Sequence, residues 1–451
     1  MSDIQRYPEY KDSGVPWLGE IPSHWKVSKL KYLGKIILGL TYSPENITDA
    51  GKGTLVLRSS NVQNGKLSFE DNVYVDSEIP TDKITTDQDI LICSRNGSRS
   101  LIGKNALIID DAINQTFGAF MTVYRTPIRS FIYFFLNSEI FKFQIGSFLT
   151  STINQLTTAN LGRFEISLPP IDEQQAIVKF LDAELNHIDT LISKQQQLLE
   201  KLTEQRSAVV TYAVTKGLDP EVAMKDSGVE WIGHIPEHWD LTFNKYLFTF
   251  SRGLTITKAD LIDEGIPCIS YGEVHSKYGF EVDPNIHPLK SVPESYTENF
   301  KYAVLKEGDF VFADTSEDYK GSGNFTHLNS QTLTVAGYHT VVMKQKHDHN
   351  HRYLAYMFDS KAFRTQIITQ VSGVKVFSIT QGILKRTPAW LPPRNEQDNI
   401  VSYLDKETNR MDKASQANND IIAKLKEYRS ALITQAVTGK IDVRQLNRLA
   451  S

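Results

Sequence analysis

Two stretches of this chain carry apolar side chains at a seven-residue spacing. Leu185, Ile188, Ile192, Gln195, Leu199, Leu202, Arg206 and Val209 form one seam, and Thr408, Met411, Ser415, Asn418, Ile422, Leu425, Arg429 and Leu432 form a second, more polar one. That period predicts long helices that pair with each other, most simply as a coiled coil. Polar seam residues such as Gln195 and Asn418 would help to fix the register. Each seam follows a Leu-Pro-Pro triplet, with Asp172 or Asn395 as the expected N-cap and Gln175 or Asp398 three residues on. Gly217 and Pro220 should end the first helix. About 44 residues give a rod of roughly 66 Å.

Elsewhere the pattern shortens to strand-like runs. TLVLRS, NVYVD, DILICS, NALIID and AFMTVYR are separated by turn signals such as Asn64-Gly65 and Asn96-Gly97. A helix is expected near residues 130–143. PCISYG, DFVFAD, TVVMKQ and a helix near 352–369 repeat the arrangement further on.

The recurrence is a duplication. Residues 11–25 (KDSGVPWLGEIPSHW) and 225–239 (KDSGVEWIGHIPEHW) share 11 of 15 positions. Residues 168–219 and 391–442 share 23 of 52. The intervening segments, 26–167 and 240–390, align only faintly (LVLRSSNV with PCISYGEV, ITTDQDILIC with VLKEGDFVFA). The chain therefore divides into a repeat motif (1–25), a first divergent domain (26–167), a central helical spacer (168–219), a second motif with linker (220–239), a second divergent domain (240–390) and a C-terminal helical segment with tail (391–451). The expected fold is α+β: two mixed α/β domains separated by two long antiparallel helices that form an intramolecular coiled coil, an internal duplication with pseudo-two-fold character.

Composition and charge refine this. Of 451 residues, 40% are hydrophobic and 23% charged, which suits folded domains. The longest strongly apolar run, residues 131–136, is far short of the ~20 needed to span a bilayer. The N-terminus shows no secretion pattern, and Cys93 and Cys268 lie in apolar runs as reduced, buried thiols, so a cytoplasmic location is expected. The net charge of −4 argues against a simple DNA-coating protein. By segment, however, 1–25 carries −2, 26–167 carries +2, 168–219 and 220–239 carry −3 each, 240–390 is neutral and 391–451 carries +2. Acid is concentrated in the motifs and first helix, not in the divergent domains.

Catalytic motifs are missing. GSRSLIGKN (97–105) has Ser98 and Asn105 where a phosphate-binding loop needs Gly and Ser/Thr. No GxGxxG, HExxH or GxSxG occurs in a matching context, and the LPP triplets lack the form used by amino-methyltransferases. His347, His349 and His351 read as a solvated loop, because no Cys or carboxylate pattern completes a metal site. Catalysis in a duplicated chain should leave a constellation in both halves, and none is seen. No catalytic residue, metal or cofactor is expected in this chain.

The paired motifs KDSGVPWLGEIPSHW and KDSGVEWIGHIPEHW, together with LPP…EQ…LD before each long helix, resemble the specificity subunit of type I restriction–modification systems. The resemblance covers the whole chain. It implies a non-catalytic DNA-reading subunit whose two divergent domains are target-recognition domains. It further implies partnership with double-stranded DNA, two modification (adenine methyltransferase) subunits and restriction (endonuclease/translocase) subunits. S-adenosylmethionine, ATP and Mg would then belong to those partners, and no membrane is involved. Two dissimilar heads would read an asymmetric, bipartite site, and the helices would set the unread spacer. The family's short spacer repeat has a counterpart here in Asp182-Ala183-Glu184-Leu185, present once.

Polar residues on loops are the candidate base readers. In the first domain these are Arg58, Ser59, Asn61, Gln63, Asn64, Ser94, Arg95, Asn96, Ser98, Arg99, Lys104, Thr152, Asn154 and Gln155. In the second they are Ser270, Tyr271, Glu273, His275, Lys277, Thr315, Ser316, Lys320, Lys375, Ser378 and Gln381. Trp17, Trp25, Trp231 and Trp239 are expected to pack an ordered turn onto the helix ends, with partner docking as the functional alternative. The competing reading of the whole chain is a coiled-coil scaffold whose domains bind proteins without DNA sequence preference.

Overall fold

The computed structural model describes residues 5–148, 154–319, 321–373 and 376–444. It comprises two compact units: Met1–Gln196 with Asn419–Ser451, and Gln197–Asn418. Both long helices are thus shared, each unit holding one divergent domain and one end of each helix. Among the described residues no helix is long and apolar enough to cross a membrane.

The first long helix runs over Ile171–Lys216 (46 residues) and the second over Arg394–Val437 (44 residues). Both begin one residue earlier than the expected caps Asp172 and Asn395. Pro170 and Pro393 lead directly into the first turn, where a missing N–H costs nothing. The preceding glutamine folds back instead of a capping box: Gln174 Nε2 donates to Pro169 O at 2.8 Å, and Gln397 Nε2 to Pro392 O at 2.9 Å. Gly217 at φ +75° and Gly439 at φ +70° follow the two C-termini in the left-handed region.

Antiparallel pairing is visible in each unit by itself. In the first, Arg429 Nε donates to Asp189 Oδ1 at 2.9 Å, and Ser167 Oγ, just before the first helix, donates to Val437 O at the end of the second. In the second, Arg206 lies 3.8 Å from Asp412, and Trp390 Nε1 donates to Val214 O. Arg206 and Arg429 are equivalent seam positions, so one ion pair is made twice. Leu185 and Ile188 are buried with Leu432 and Ile433 in the first unit, and Val210 and Val214 with Ile400 and Leu404 in the second.

The divergent domains are built alike. In the first, an antiparallel sheet runs in the order Asn105–Leu107, Asp89–Cys93, Met121–Arg125, Lys35–Leu38. A second sheet contains Thr116–Phe117, Thr54–Leu57, Tyr74–Val75 and Ile47–Thr48. The other domain repeats the first sheet as Phe325–Leu328, Phe310–Ala313, Thr340–Gln345, Phe248–Arg252 and adds Phe280–Val282 at the edge. Its second sheet contains Ser291–Val292, Ile266–Ile269, Thr334–Ala336 and Val304–Leu305. The single helix expected near 130–143 is two, Arg129–Leu136 and Glu139–Phe148, and that near 352–369 is His351–Asp359 and Lys361–Ile368. Buried Ser138 and Ser360 cause both breaks, each hydroxyl turning back to the preceding helix while accepting from the N–H of Phe141 or Phe363. Cys93 and Cys268 are buried free thiols, and burial pushes Cys268 up to about 11.

Each domain enters and leaves through one pair of antiparallel strands. Lys26–Lys29 pairs with Glu165–Leu168, and Asp240–Phe243 pairs with Pro388–Leu391.

Candidate nucleic-acid interface

In the first domain three loops distant in sequence converge on one open cleft of about 1190 Å³. Residues 58–60 follow strand Thr54–Leu57, and residues 95–97 follow strand Asp89–Cys93. Asn154 and Gln155 arrive through a bridge between Arg95 and Gln155. The floor depends on two glycines, since a Cβ on Gly39 would run into the carbonyl of Gly118. Gly253 and Gly337 make the same close approach in the second domain. Among the predicted residues, Arg58, Ser59, Arg95, Asn96, Asn154 and Gln155 line this cleft.

Their polar atoms are differently committed. Arg58 is tied to Asp71 at 2.9 Å, and Asn96 Nδ2 donates to Ser59 Oγ at 3.0 Å while its Oδ1 accepts from Ser98 N. Asn154 Nδ2 donates to Gly97 O at 3.1 Å. The Arg95 backbone is fixed by its N–H donating to Phe120 O at 3.0 Å, and its guanidinium lies over the Phe120 ring at 5.1 Å. Phe120 is itself 57% exposed at the mouth of the cleft.

Other predicted residues are drawn inward, away from the cleft, contrary to expectation. Asn61 is fully buried; its Oδ1 accepts from Arg58 N and its Nδ2 donates to Ser68 O and Asn72 Oδ1. Lys104 Nζ donates to the carbonyls of Ser59 and Val62, and buried Ser94 donates to Phe120 O. These three hold the loops rather than face solvent. Gln63 and Asn64 sit on an exposed hairpin turn, with Asn64 at φ +51°. Ser98 and Arg99 are exposed beside the cleft, and Arg99 donates to Gly146 O at 3.4 Å. Thr152 lies outside the described residues.

The second domain presents the same backbone positions with other chemistry. Thr315 and Ser378 pair in a two-residue ladder at the positions of Arg95 and Gln155. Tyr271 replaces Ser59 and stacks on His275, with ring centroids 5.0 Å apart and 10° between planes. Lys277 pairs with Glu273 at 3.1 Å. Ser270, Glu273 and Ser316 are, contrary to expectation, buried like Asn61. Ser270 is packed against Cys268, Glu273 Oε2 accepts from Ser270 N at 3.2 Å, and Ser316 Oγ donates to Asp318 O. Gln381 donates to Ser251 O, which positions a short helix. Lys320 and Lys375 lie outside the described residues.

Sequence reasoning passed over Tyr42, Asp71 and Phe120, which also line the first cleft, and His339, which takes the place of Phe120 in the second domain. His339 O accepts from Asp314 N as Phe120 O does from Ser94 N. The only signal was the faint alignment of GAFM (118–121) with GYHT (337–340).

The tryptophans divide into two kinds. Trp25 and Trp239 are fully buried, and each donates Nε1 to a carboxylate in the first turn of a long helix, Glu173 at 2.9 Å and Glu396 at 3.1 Å. His24 and His238 reach the same carboxylates at 2.6 and 2.8 Å. Glu173 also accepts from Tyr7 OH, and burial, with the nearby Glu173 charge, pushes the phenol far above its ordinary range. Trp17 and Trp231 instead stay 37% and 43% exposed, Trp17 beside exposed Phe143. Among the described residues no group of three His, Cys, Asp or Glu side chains is arranged to hold a metal ion.

Two domains with equivalent, chemically different loops, each preceded by a motif whose buried Trp donates to a Glu of a long helix, define a duplicated architecture. The chain belongs to the type I restriction modification DNA specificity domain family, which matches residues 22–201 and 236–426. It is 26% identical to the EcoKI specificity subunit of Escherichia coli K12 over 94% of this chain and 90% of that one. It is 23% identical to the StySPI specificity subunit of Salmonella potsdam over the same shares. A chain from a type I restriction–modification system, solved to show complex assembly and conformational transition, shares the fold with a TM-score of 0.68 at 15% identity, covering 92% of this chain and 98% of that one.

Proposed function

We propose that this specificity subunit reads an asymmetric, bipartite DNA site, one half with each domain, and that it does so without catalysing a reaction itself. The observation that carries the reading is the convergence of residues 58–60, 95–97 and 154–155 on one cleft, matched at equivalent backbone positions by Tyr271, Thr315 and Ser378. Arginine and amide side chains suit guanine and adenine edges, whereas hydroxyls, Tyr and His suit a different half-site. The paired helices set the unread interval. Two modification subunits dock on the motifs and helix flanks, where exposed Trp17 and Trp231 offer apolar contacts, and restriction subunits join that assembly. S-adenosylmethionine, ATP and Mg are supplied through these partners. With near-neutral heads, the chain alone should hold DNA weakly and draw phosphate affinity from its partners.

Methylome sequencing of cells with and without the chain tests the reading. Loss of a split adenine-methylation motif is expected. An unchanged methylome, together with partner-supported binding that ignores DNA sequence, would favour the scaffold reading instead.

A further inference from the structure

The second unit holds a cavity of about 300 Å³ where the helix Lys361–Ile368 meets the first long helix. Arg206 of the long helix and Arg364 of the shorter one both line it, together with His275, Asn324 and Asp359. Asp359, the acidic residue of the lining, accepts from Arg206 Nη1 at 3.2 Å. Asp412, outside the lining, lies 3.8 Å from Arg206 Nε. Arg364 Nη2 donates to Asn324 Oδ1, and Asn324 Nδ2 donates to His275 O at 3.2 Å, which fixes the guanidinium against the loop. Two guanidiniums facing one carboxylate leave the lining net positive.

His275 Nδ1 is buried with no hydrogen-bond partner among the described residues, a costly state for a ring nitrogen unless a ligand meets it. Burial pushes the Arg364 guanidinium below its ordinary range, against the pull of Asp359. An anion beside it would offset that desolvation. Phe280, which closes one side with Gly279, holds φ +72°, a conformation that bulky side chains rarely adopt. His327 Nδ1 donates to its carbonyl at 2.6 Å. The first half is arranged differently. Ser138 and Ser360 align Lys142 with Arg364, and Gly103 and Gly323 align Lys104 with Asn324. Lys142 pairs with Glu139 at 2.8 Å, Lys104 turns to the carbonyls of Ser59 and Val62, and Gln63, the counterpart of His275, is exposed. Among the described residues the edge strand that Phe280 opens has no first-half counterpart either. The cavity is therefore not required for joining a domain to the helices.

We infer that this cavity is a binding site for a phosphate group, held between Arg364 and Arg206 with His275 Nδ1 as a further donor. Planar guanidinium forks match phosphate oxygens in geometry as well as charge. A free phosphate ion and a phosphate of a nucleic-acid backbone offer the same chemistry to these three groups. His275 also stacks on Tyr271 in the second reading loop, so an occupant ties that loop to the long helix through Arg206. The site is additional to base reading and does not depend on it.

The test uses the full chain, with inorganic phosphate as the first probe. Phosphate, compared with chloride at matched ionic strength, should bind in calorimetry and raise the melting temperature. Gly279→Glu brings a rival carboxylate to the cavity wall, at a position where a Cβ meets nothing within 4 Å. Ser276→Glu adds the same charge at an exposed position of the same loop, outside the lining. The first should weaken phosphate binding about tenfold or more and the second should not, both melting in chloride as the native chain does. Arg206→Gln should show the same loss as Gly279→Glu. The second probe is duplex DNA carrying the methylated site, bound in the presence of the modification subunit. If the backbone supplies the phosphate, Gly279→Glu and Arg206→Gln lower affinity for all sequences alike and reduce the salt slope by about one, again unlike Ser276→Glu. A response to either probe supports the site and identifies the source of the phosphate. No loss with Gly279→Glu and Arg206→Gln for either probe, or an equal loss with Ser276→Glu, overturns it. A chain that binds phosphate but selects no DNA sequence leaves the site standing and removes the reading role proposed above.

Discussion

A guanidinium can select a base edge only when the backbone beneath it is held in place. Arg95 is held by its bridge to Gln155 and by the carbonyl of Phe120, while its charged end makes no ion pair among the described residues. Arg58, with its carboxylate partner Asp71, is less available. Arg95→Ala is expected to weaken specific binding by about 1–3 kcal/mol and to relax one position of one half-site, read by methylome sequencing. A uniform loss across all sequences would make Arg95 a phosphate contact instead. Base-reading candidates were legible as loops but not as individuals. Ser94 and Arg95 are neighbours, yet one hydroxyl is buried on Phe120 O and the other side chain faces the cleft. Which neighbour turns inward depends on strands paired across dozens of residues, which local sequence does not specify. Two buried groups of the second domain carry a separate prediction. Burial pushes Asp309 up to about 6 and His327 down to about 3. Against unfolded values of ~3.9 and ~6.5, stability falls with rising pH through Asp309 between pH 4 and 6, and rises with pH through His327 across the same window. The two slopes oppose each other in the native chain. Asp309→Asn removes one, so stability of the variant should climb with pH from 4 to 6. A flat denaturation profile for that variant would refute the assignment.

At the level of elements, the LPP…EQ segment and the tryptophan motif are two parts of one joint. The carboxylate at the start of each helix favours the positive end of the helix dipole and accepts from indole and imidazole together. Glu173 has the additional partners Tyr7 and, at 3.6 Å, Arg444, whereas Glu396 is more exposed. Glu173→Ala should therefore cost about 2–3 kcal/mol, because buried donors on Trp25 and Tyr7 lose their acceptor, and Glu396→Ala should cost less. Urea denaturation of the two variants decides the order. The helices and their antiparallel partnership were legible, since a seven-residue seam and a terminal glycine are local signals. The first residue of each helix was not. Proline tolerance at the N-terminus and a glutamine folded back on the preceding carbonyl outcompeted the expected Asx cap. Nor were the breaks at Ser138 and Ser360, where a buried hydroxyl divides an otherwise continuous apolar run.

Across the molecule, each compact unit combines one domain with the start of one long helix and the end of the other. The ion pairs Asp189–Arg429 and Arg206–Asp412 mark equivalent levels of that pairing. Four residues inserted into both helices between these levels should add about 6 Å of helix, nearly two base pairs at ~3.4 Å each. The methylated motif would keep both half-sites and gain a longer unread interval. A changed half-site sequence would contradict the division of labour between heads and helices. The duplication itself was plain in the sequence, but the cavity beside Arg364 was not. It is closed by Gly279 and Phe280, in a stretch that aligns with nothing in the first half.

The strand pairs that open and close each domain have a further consequence. Because residues 26–29 lie hydrogen-bonded against 165–168, and 240–243 against 388–391, each domain begins where it ends. Such a segment has the geometry of a cassette: a foreign domain with the same two border strands should be accepted without moving the Trp–Glu joints or the helix seam. Recombination at the repeated motifs would then generate new DNA specificities in single steps. With the modification partners proposed above, a chimaera carrying one foreign head should direct methylation to a hybrid site, half old and half new.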